Sequence, residues 1–221
     1  MTRKRTAILI SGRGSNMMSL VEAAAAPGFA AEIVAVVSNR PDAAGLAWAE
    51  ARGLATHVVD HKAFATREAF EDELHAAVSA TGAELVCLAG FMRVLTATFV
   101  QRWDGHMLNI HPSLLPAFKG LHTHERALEA GVRIAGCTVH FVVPEMDAGP
   151  IIAQAAVPVI PGDTPGSLAA RILSVEHKIY PHALDLVACG AVVMQGGQAI
   201  VRYQMVNHED CLISPMPPVK S

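Results

Sequence analysis

Through its first half the chain alternates short, β-branched apolar runs with amphipathic stretches, and a β-α rhythm of that kind admits few folds. Ala7-Ile-Leu-Ile-Ser11, Ile33-Val-Ala-Val-Val37, His57-Val-Val59 and Glu84-Leu-Val-Cys-Leu-Ala89 read as strands. Met17–Ala26, a segment opening at Pro41 and closed by Gly53, and Thr66–Ala80 read as the intervening helices. Ser15 or Asn16 is placed to cap the first helix, Pro41 suits a first helical position, and Thr66 caps the third. Apolar strands joined by helical crossovers belong to a sheet buried on both faces. The expected fold is α/β: a mainly parallel, twisted sheet with helices on both faces.

The second half reads differently. Met107-Leu-Asn-Ile-His111 is a short strand stopped by Pro112, Ser113–Leu121 is a loop, and Thr123–Ala130 is a helix ended by Gly131. Ile134–Val143 and Ile151–Ile160, joined by Pro144-Glu-Met-Asp-Ala-Gly-Pro150, form an antiparallel pair. Thr164–Cys189 is a long helix with Pro181 inside, which predicts a kink or break near Tyr180. Ala191–Met194 and Gln198–Tyr203 flank Gly196-Gly197, a hairpin signal. Residues 1–205 are expected to form one domain; 206–221, with three prolines and little periodicity, read as a loosely held tail.

Composition narrows the partners. With 52% hydrophobic residues among 221, a sizeable core is available. A net charge of -3 gives no overall attraction for nucleic acid or an anionic membrane, so an anionic ligand must be held by local donors. The four cysteines, Cys87, Cys137, Cys189 and Cys211, form no C-x-x-C pair and read as reduced thiols. The apolar stretch Ala7–Ile10 is too short for a secretory signal, and no run of about 18 apolar residues exists. A reducing compartment, the cytoplasm, is expected.

Ser11-Gly12-Arg13-Gly14-Ser15-Asn16 joins the first strand to the first helix. Glycines let the backbone approach an anion, and the helix N-terminus offers free N–H groups. A plain glycine turn has the same composition. Met17 stands where a dinucleotide fingerprint needs glycine, and no Gly-Lys-Ser/Thr follows, so a monophosphate fits best.

Asn109 and His111 are two apart on a strand and face the same side, just before Pro112 opens a loop. An amide beside an imidazole can stabilise an oxyanion and move a proton, which acyl transfer needs. Asp147, between the antiparallel strands, can supply an acid. With 11 histidines in the chain, spacing alone leaves a structural role for His111 the commoner one. His122-Thr-His124-Glu125 fails the zincin pattern because Leu128 replaces the second His, and no metal is expected. No G-x-S-x-G elbow is present for a serine hydrolase.

Together with Leu88-Ala-Gly-Phe-Met-Arg-Val-Leu95, Leu108-Asn-Ile-His-Pro-Ser-Leu-Leu-Pro116, Gly120-Leu-His-Thr-His124 and Asp147-Ala-Gly-Pro150, the glycine loop resembles the phosphoribosylglycinamide formyltransferase family, folate-dependent enzymes of purine biosynthesis. The resemblance spans about residues 6–190. It implies a Rossmann-like formyltransferase fold and 10-formyltetrahydrofolate as formyl donor, without metal. Asn109, His111 and Asp147 match the family's catalytic trio. Gly14, Ser15, Asn16, Met17 and Met18 match its phosphate segment, and Glu176 its ribose-binding residue. Arg67, Met92, Arg93, Val94, Leu95, Val143 and Asp147, with Asn109, match its folate-binding positions. Leu173 stands where the family usually has Lys or Gln, and the resemblance suggests a cis Leu115–Pro116 bond. The implied chemistry is direct transfer: an amine attacks the formyl carbon, Asn109 and His111 stabilise the oxyanion, and Asp147 keeps His111 charged and helps relay the proton.

Overall fold

The computed structural model describes residues 2–202. Seven strands form one sheet: β1 (Lys4–Ile10), β2 (Ala31–Ser38), β3 (Ala55–Val58), β4 (Leu85–Leu88), β5 (Met107–His111), β6 (Ile134–Phe141) and β7 (Ile151–Pro158), in the order β3-β2-β1-β4-β5-β6-β7. The first five are parallel, while β6 and β7 are antiparallel to their neighbours. A separate hairpin, β8 (Val192–Gln195) and β9 (Gln198–Val201), turns at Gly196-Gly197, both at positive φ.

The period of two along the strands divides the core. In β1, Ile8 and Ile10 pack into one buried cluster and Ala7 and Leu9 into another; in β4, Leu85 and Cys87 follow the first, Val86 and Leu88 the second. The first cluster lies under α1 (Ser15–Ala24), α2 (Ala44–Glu50), α5 (Thr123–Glu129) and α6 (Pro165–Ala188). The second lies under α3 (Arg67–Ala80) and α4 (Ala97–Arg102). Helices therefore cover both faces, as the alternating apolar runs require. Strand order reverses between β1 and β4, so the crevice beyond their carboxyl ends is where such a sheet binds ligands.

Local chemistry corrects several boundaries. Neither Ser15 nor Asn16 caps α1: Ser15 is already helical, and the N-cap is Gly14 at φ 72, with no side-chain cap. The helix expected from Pro41 begins at Ala44, after a turn through Pro41-Asp42. A short 3-10 turn at His61–Ala63 and helix α4 were not expected; Asp60 and Thr96 cap them through their side chains. Thr66 caps α3 as expected. α6 runs unbroken through Pro181. Pro181 removes one ladder hydrogen bond, but the residue before it is anchored: the buried Tyr180 hydroxyl reaches the carbonyls of Leu88 at 3.0 Å and Leu108 at 3.1 Å. Cys87, Cys137 and Cys189 are free thiols. Tyr203, Cys211 and the tail expected at 206–221 lie outside the described residues.

Candidate active site

β5 ends at His111, and its last residues pair antiparallel with β6 so that Asn109 faces His140 and His111 faces Thr138. Directly opposed residues share a sheet face, so four polar side chains converge there. The turn between β6 and β7 brings in Asp147, in the left-handed region at φ 50. Two residues on, Gly149 lies so close to β6 that an added Cβ would meet the Phe141 carbonyl oxygen at 1.7 Å. That approach folds the turn back over the sheet end.

Asp147 Oδ2 is 3.4 Å from His111 Nδ1 and accepts the Gly120 backbone N–H at 2.9 Å; its Oδ1 is 3.9 Å from His140 Nε2. His111 Nε2 lies 3.0 Å from the Phe118 carbonyl. Both His111 nitrogens thus face acceptors, and only the imidazolium donates at both.

His140 differs. Its burial holds its pKa below the usual imidazole value, against the opposing pull of the Phe141 hydrogen bond and Asp147. Its Nδ1 donates to the Phe141 carbonyl at 2.8 Å, which leaves the neutral ring's Nε2 as an acceptor for Asn109 Nδ2 at 3.3 Å. The amide of Asn109 is thereby oriented with its nitrogen toward His140. Sequence reasoning missed His140 because an isolated histidine in a strand carries no motif. Pairing β5 with β6 in register would have placed it opposite Asn109.

The glycine loop opens into a cleft of about 400 Å³ lined by residues 11–16 together with Asn39, Arg40, His61, Gly90, Met92 and Arg93. Asn16 Nδ2 donates to Glu176 Oε2 at 2.8 Å, while the buried Asn16 Oδ1 has no protein partner among the described residues. Burial raises the Glu176 pKa, and the Asn16 hydrogen bond and the His111 charge pull it back. Glu176 is thus tied to the glycine loop through Asn16. Met17 is fully buried in the core, and Met18 is half-buried against the same core. Leu173, one turn before Glu176 on α6, is half-buried.

Along the segment after β4, Phe91 and Leu95 pack into the second core cluster with Val142, while Met92 and Val94 are exposed. Val143, just past β6, is half-buried. Arg67 is exposed in the first turn of α3, and no hydrogen bond among the described residues ties it to the cluster around His111. His122 is exposed, and His124 is half-buried with its pKa lowered, first by burial. The Leu115–Pro116 peptide is cis, as the resemblance suggested. Among the described residues no group of three or more His, Cys, Asp or Glu could hold a metal ion, and no helix is long and apolar enough to cross a membrane.

The profile of the family described as formyl transferase matches residues 4–184. The phosphoribosylglycinamide formyltransferase of Escherichia coli is 44% identical over 192 residues, 87% of this chain and 91% of that protein. The crystal structure of the phosphoribosylglycinamide formyltransferase from Brucella melitensis is 57% identical and superposes with a TM-score of 0.82, covering 86% of this chain and 97% of that one. This chain belongs to the phosphoribosylglycinamide formyltransferase family. The trifunctional purine biosynthetic protein adenosine-3 of Bos taurus is 51% identical over 190 residues, but these make up only 19% of that protein's length. As a family member the chain is a formyl-transferring enzyme, and every candidate residue from Gly14 to Glu176 lies inside the matched span.

Proposed function

We propose that the chain transfers the formyl group of 10-formyltetrahydrofolate to the glycyl amine of phosphoribosyl glycinamide, giving formylglycinamide ribonucleotide and tetrahydrofolate in de novo purine biosynthesis. The observation that carries this reading is the convergence of His111, Asp147 and Asn109 at the end of β5, together with a glycine loop that suits a monophosphate and is tied through Asn16 to Glu176. Residues 1–205 act as one catalytic domain, in the cytoplasm, on small molecules, as a monomer or homodimer.

Gly14, Ser15, Asn16, Met17 and Met18 form the segment that holds the phosphate. Glu176 accepts from the ribose hydroxyls. Four of the eight exposed large apolar side chains among the described residues, Met92, Val94, Leu121 and Met146, belong to segments that flank the cluster, which suits a flat heterocycle. The segment Met92–Leu95, with Val143 and Asp147, forms the pterin slot, and Arg67 and Arg93 offer cations to the donor's carboxylates.

The amine nitrogen forms a bond to the formyl carbon, and charge develops on the formyl oxygen. Asn109, its amide oriented by His140, donates to that oxygen. His111 adds its Nε2–H once the oxygen takes the place of the Phe118 carbonyl. Asp147 holds the imidazolium and passes the amine proton toward the leaving N10 as its bond to carbon breaks. The deciding assay measures formyl transfer from 10-formyltetrahydrofolate to phosphoribosyl glycinamide against hydrolysis of the folate alone. Transfer that tracks enzyme concentration is expected; hydrolysis without transfer overturns the reading.

A further inference from the structure

Glu71 is a buried carboxylate, 3% exposed, on the inner face of α3, with no cation within ion-pair distance among the described residues. Its Oε1 accepts the backbone N–H of Thr96 at 2.9 Å, and its Oε2 accepts the Thr96 hydroxyl. Both bonds go to one residue. Thr96 ends the segment Phe91–Leu95, and its hydroxyl in turn accepts the Phe99 N–H at 3.2 Å to cap α4.

The other end of that segment is held as well. Ser11 Oγ accepts the Met92 N–H at 2.7 Å and donates to Asn39 Oδ1 at 2.6 Å, while the Ser11 N–H donates to the Gly90 carbonyl at 3.1 Å. Between these anchors Phe91 and Leu95 turn into the core and leave Met92 and Val94 to the outside. A short irregular segment offers few backbone bonds of its own, so its ends determine where its exposed side chains stand.

We infer that Glu71 and Ser11 are positioning residues that clamp the Met92–Leu95 segment at its two ends and so set the affinity for the formyl donor. The inference rests on the reading that this segment forms the donor slot. Glu71 touches no substrate; it acts through Thr96. A buried carboxylate suits this task because it accepts both of the Thr96 donors at once, and two bonds fix direction as well as distance.

The test is steady-state kinetics on the full chain, with melting temperature measured alongside. Glu71→Ala is expected to raise the donor KM about tenfold, the size of one lost hydrogen bond to a charged group, while the ribonucleotide KM stays within about twofold. Glu71→Gln, whose carbonyl still accepts the Thr96 N–H, is expected to recover most of the loss. Should Glu71→Ala fold poorly, Thr96→Val removes the hydroxyl arm together with the α4 cap, and Thr96→Ser, which keeps both, is expected to leave the donor KM near its wild-type value. Ser11→Ala is expected to raise the donor KM likewise. A donor KM that stays at wild-type value in Glu71→Ala and Thr96→Val overturns the clamp. Two KM values that rise together with a falling melting temperature do so too, since that is the pattern of a structural role. Met92→Asp and Val94→Asp separate this from the underlying reading. If they leave the donor KM unchanged, the slot itself is misplaced; if they raise it while the Glu71 and Thr96 variants do not, only the clamp fails.

Discussion

His140 Nε2 lies 3.3 Å from Asn109 Nδ2, directly across the β5–β6 pair. The Phe141 carbonyl fixes the tautomer of His140, and burial keeps its ring neutral, so the ring can only accept from the amide. The amide in turn keeps a second N–H for a developing oxyanion. His140→Ala is expected to lower turnover about tenfold, the worth of one misdirected donor, with little change in ribonucleotide KM. His140→Gln, whose side-chain carbonyl can accept in its place, is expected to retain more activity. Turnover that is unchanged in His140→Ala would remove the orienting role.

The turn that carries Asp147 depends on an absent Cβ. At Gly149 a methyl group would sit 1.7 Å from the Phe141 carbonyl oxygen, and backbone, not a flexible side chain, is in the way. Gly149→Ala must therefore push the turn off β6 and Asp147 away from His111. A lower melting temperature and a turnover loss of at least tenfold are expected, since misplacing a reacting group by about 1 Å can cost as much as a hundredfold. Gly12→Ala is the control for stability, because a Cβ there meets nothing within 4 Å. Equal melting temperatures for the two variants would contradict the steric account.

The parts legible in the sequence were those governed by local periodicity. β5 stops where Pro112 stands, and the two-residue spacing placed Asn109 and His111 on one face, as found. The alternating apolar runs gave the parallel sheet. What stayed hidden was set by partners far apart in the chain. Asn16 looks like a cap but donates to Glu176, 160 residues away, and Gly14 takes the cap position with a left-handed backbone. Ser11 looks like the end of a strand but holds Met92, 81 residues on. Helix α4 was missed because it is only 6 residues long and depends on Thr96 for its cap, too short for its own pattern to register.

Four histidines, His75, His124, His140 and His177, have their pKa lowered, in each case first by burial. In the unfolded chain they take up protons near pH ~6.5. A ring that is harder to protonate when folded contributes stability that is complete above that pH and is lost as pH falls toward its folded value. Glu176 has a raised pKa and opposes this, because its contribution grows as pH falls through that value. Four groups act against one, so the melting temperature is expected to fall between about pH 7 and pH 5. The slope should be shallower in His140→Gln. Thermal melts across that range decide it: a melting temperature that is flat or rises on acidification refutes the assignment.

Asp147 Oδ2 faces His111 Nδ1 at 3.4 Å, and the same oxygen accepts the Gly120 N–H at 2.9 Å. Asp147→Asn keeps the size of the side chain but removes the charge that complements the imidazolium. Loss of a proton-transfer partner typically lowers a rate by about 10²–10⁴-fold. Asn can still accept the Gly120 N–H through its carbonyl, so affinity for the donor should fall far less than turnover. His111→Ala is expected to lose turnover on a similar scale. If the two residues act as a unit, the double variant loses much less than the product of the two single losses. Steady-state kinetics on both single variants and the double, with donor affinity measured separately, supply all the terms. Near wild-type turnover in Asp147→Asn would rule out the proposed proton relay while leaving the fold and both substrate segments in place. Losses of rate and affinity in equal proportion would make Asp147 a binding residue, and multiplicative losses in the double variant would mean that the two side chains act on separate steps.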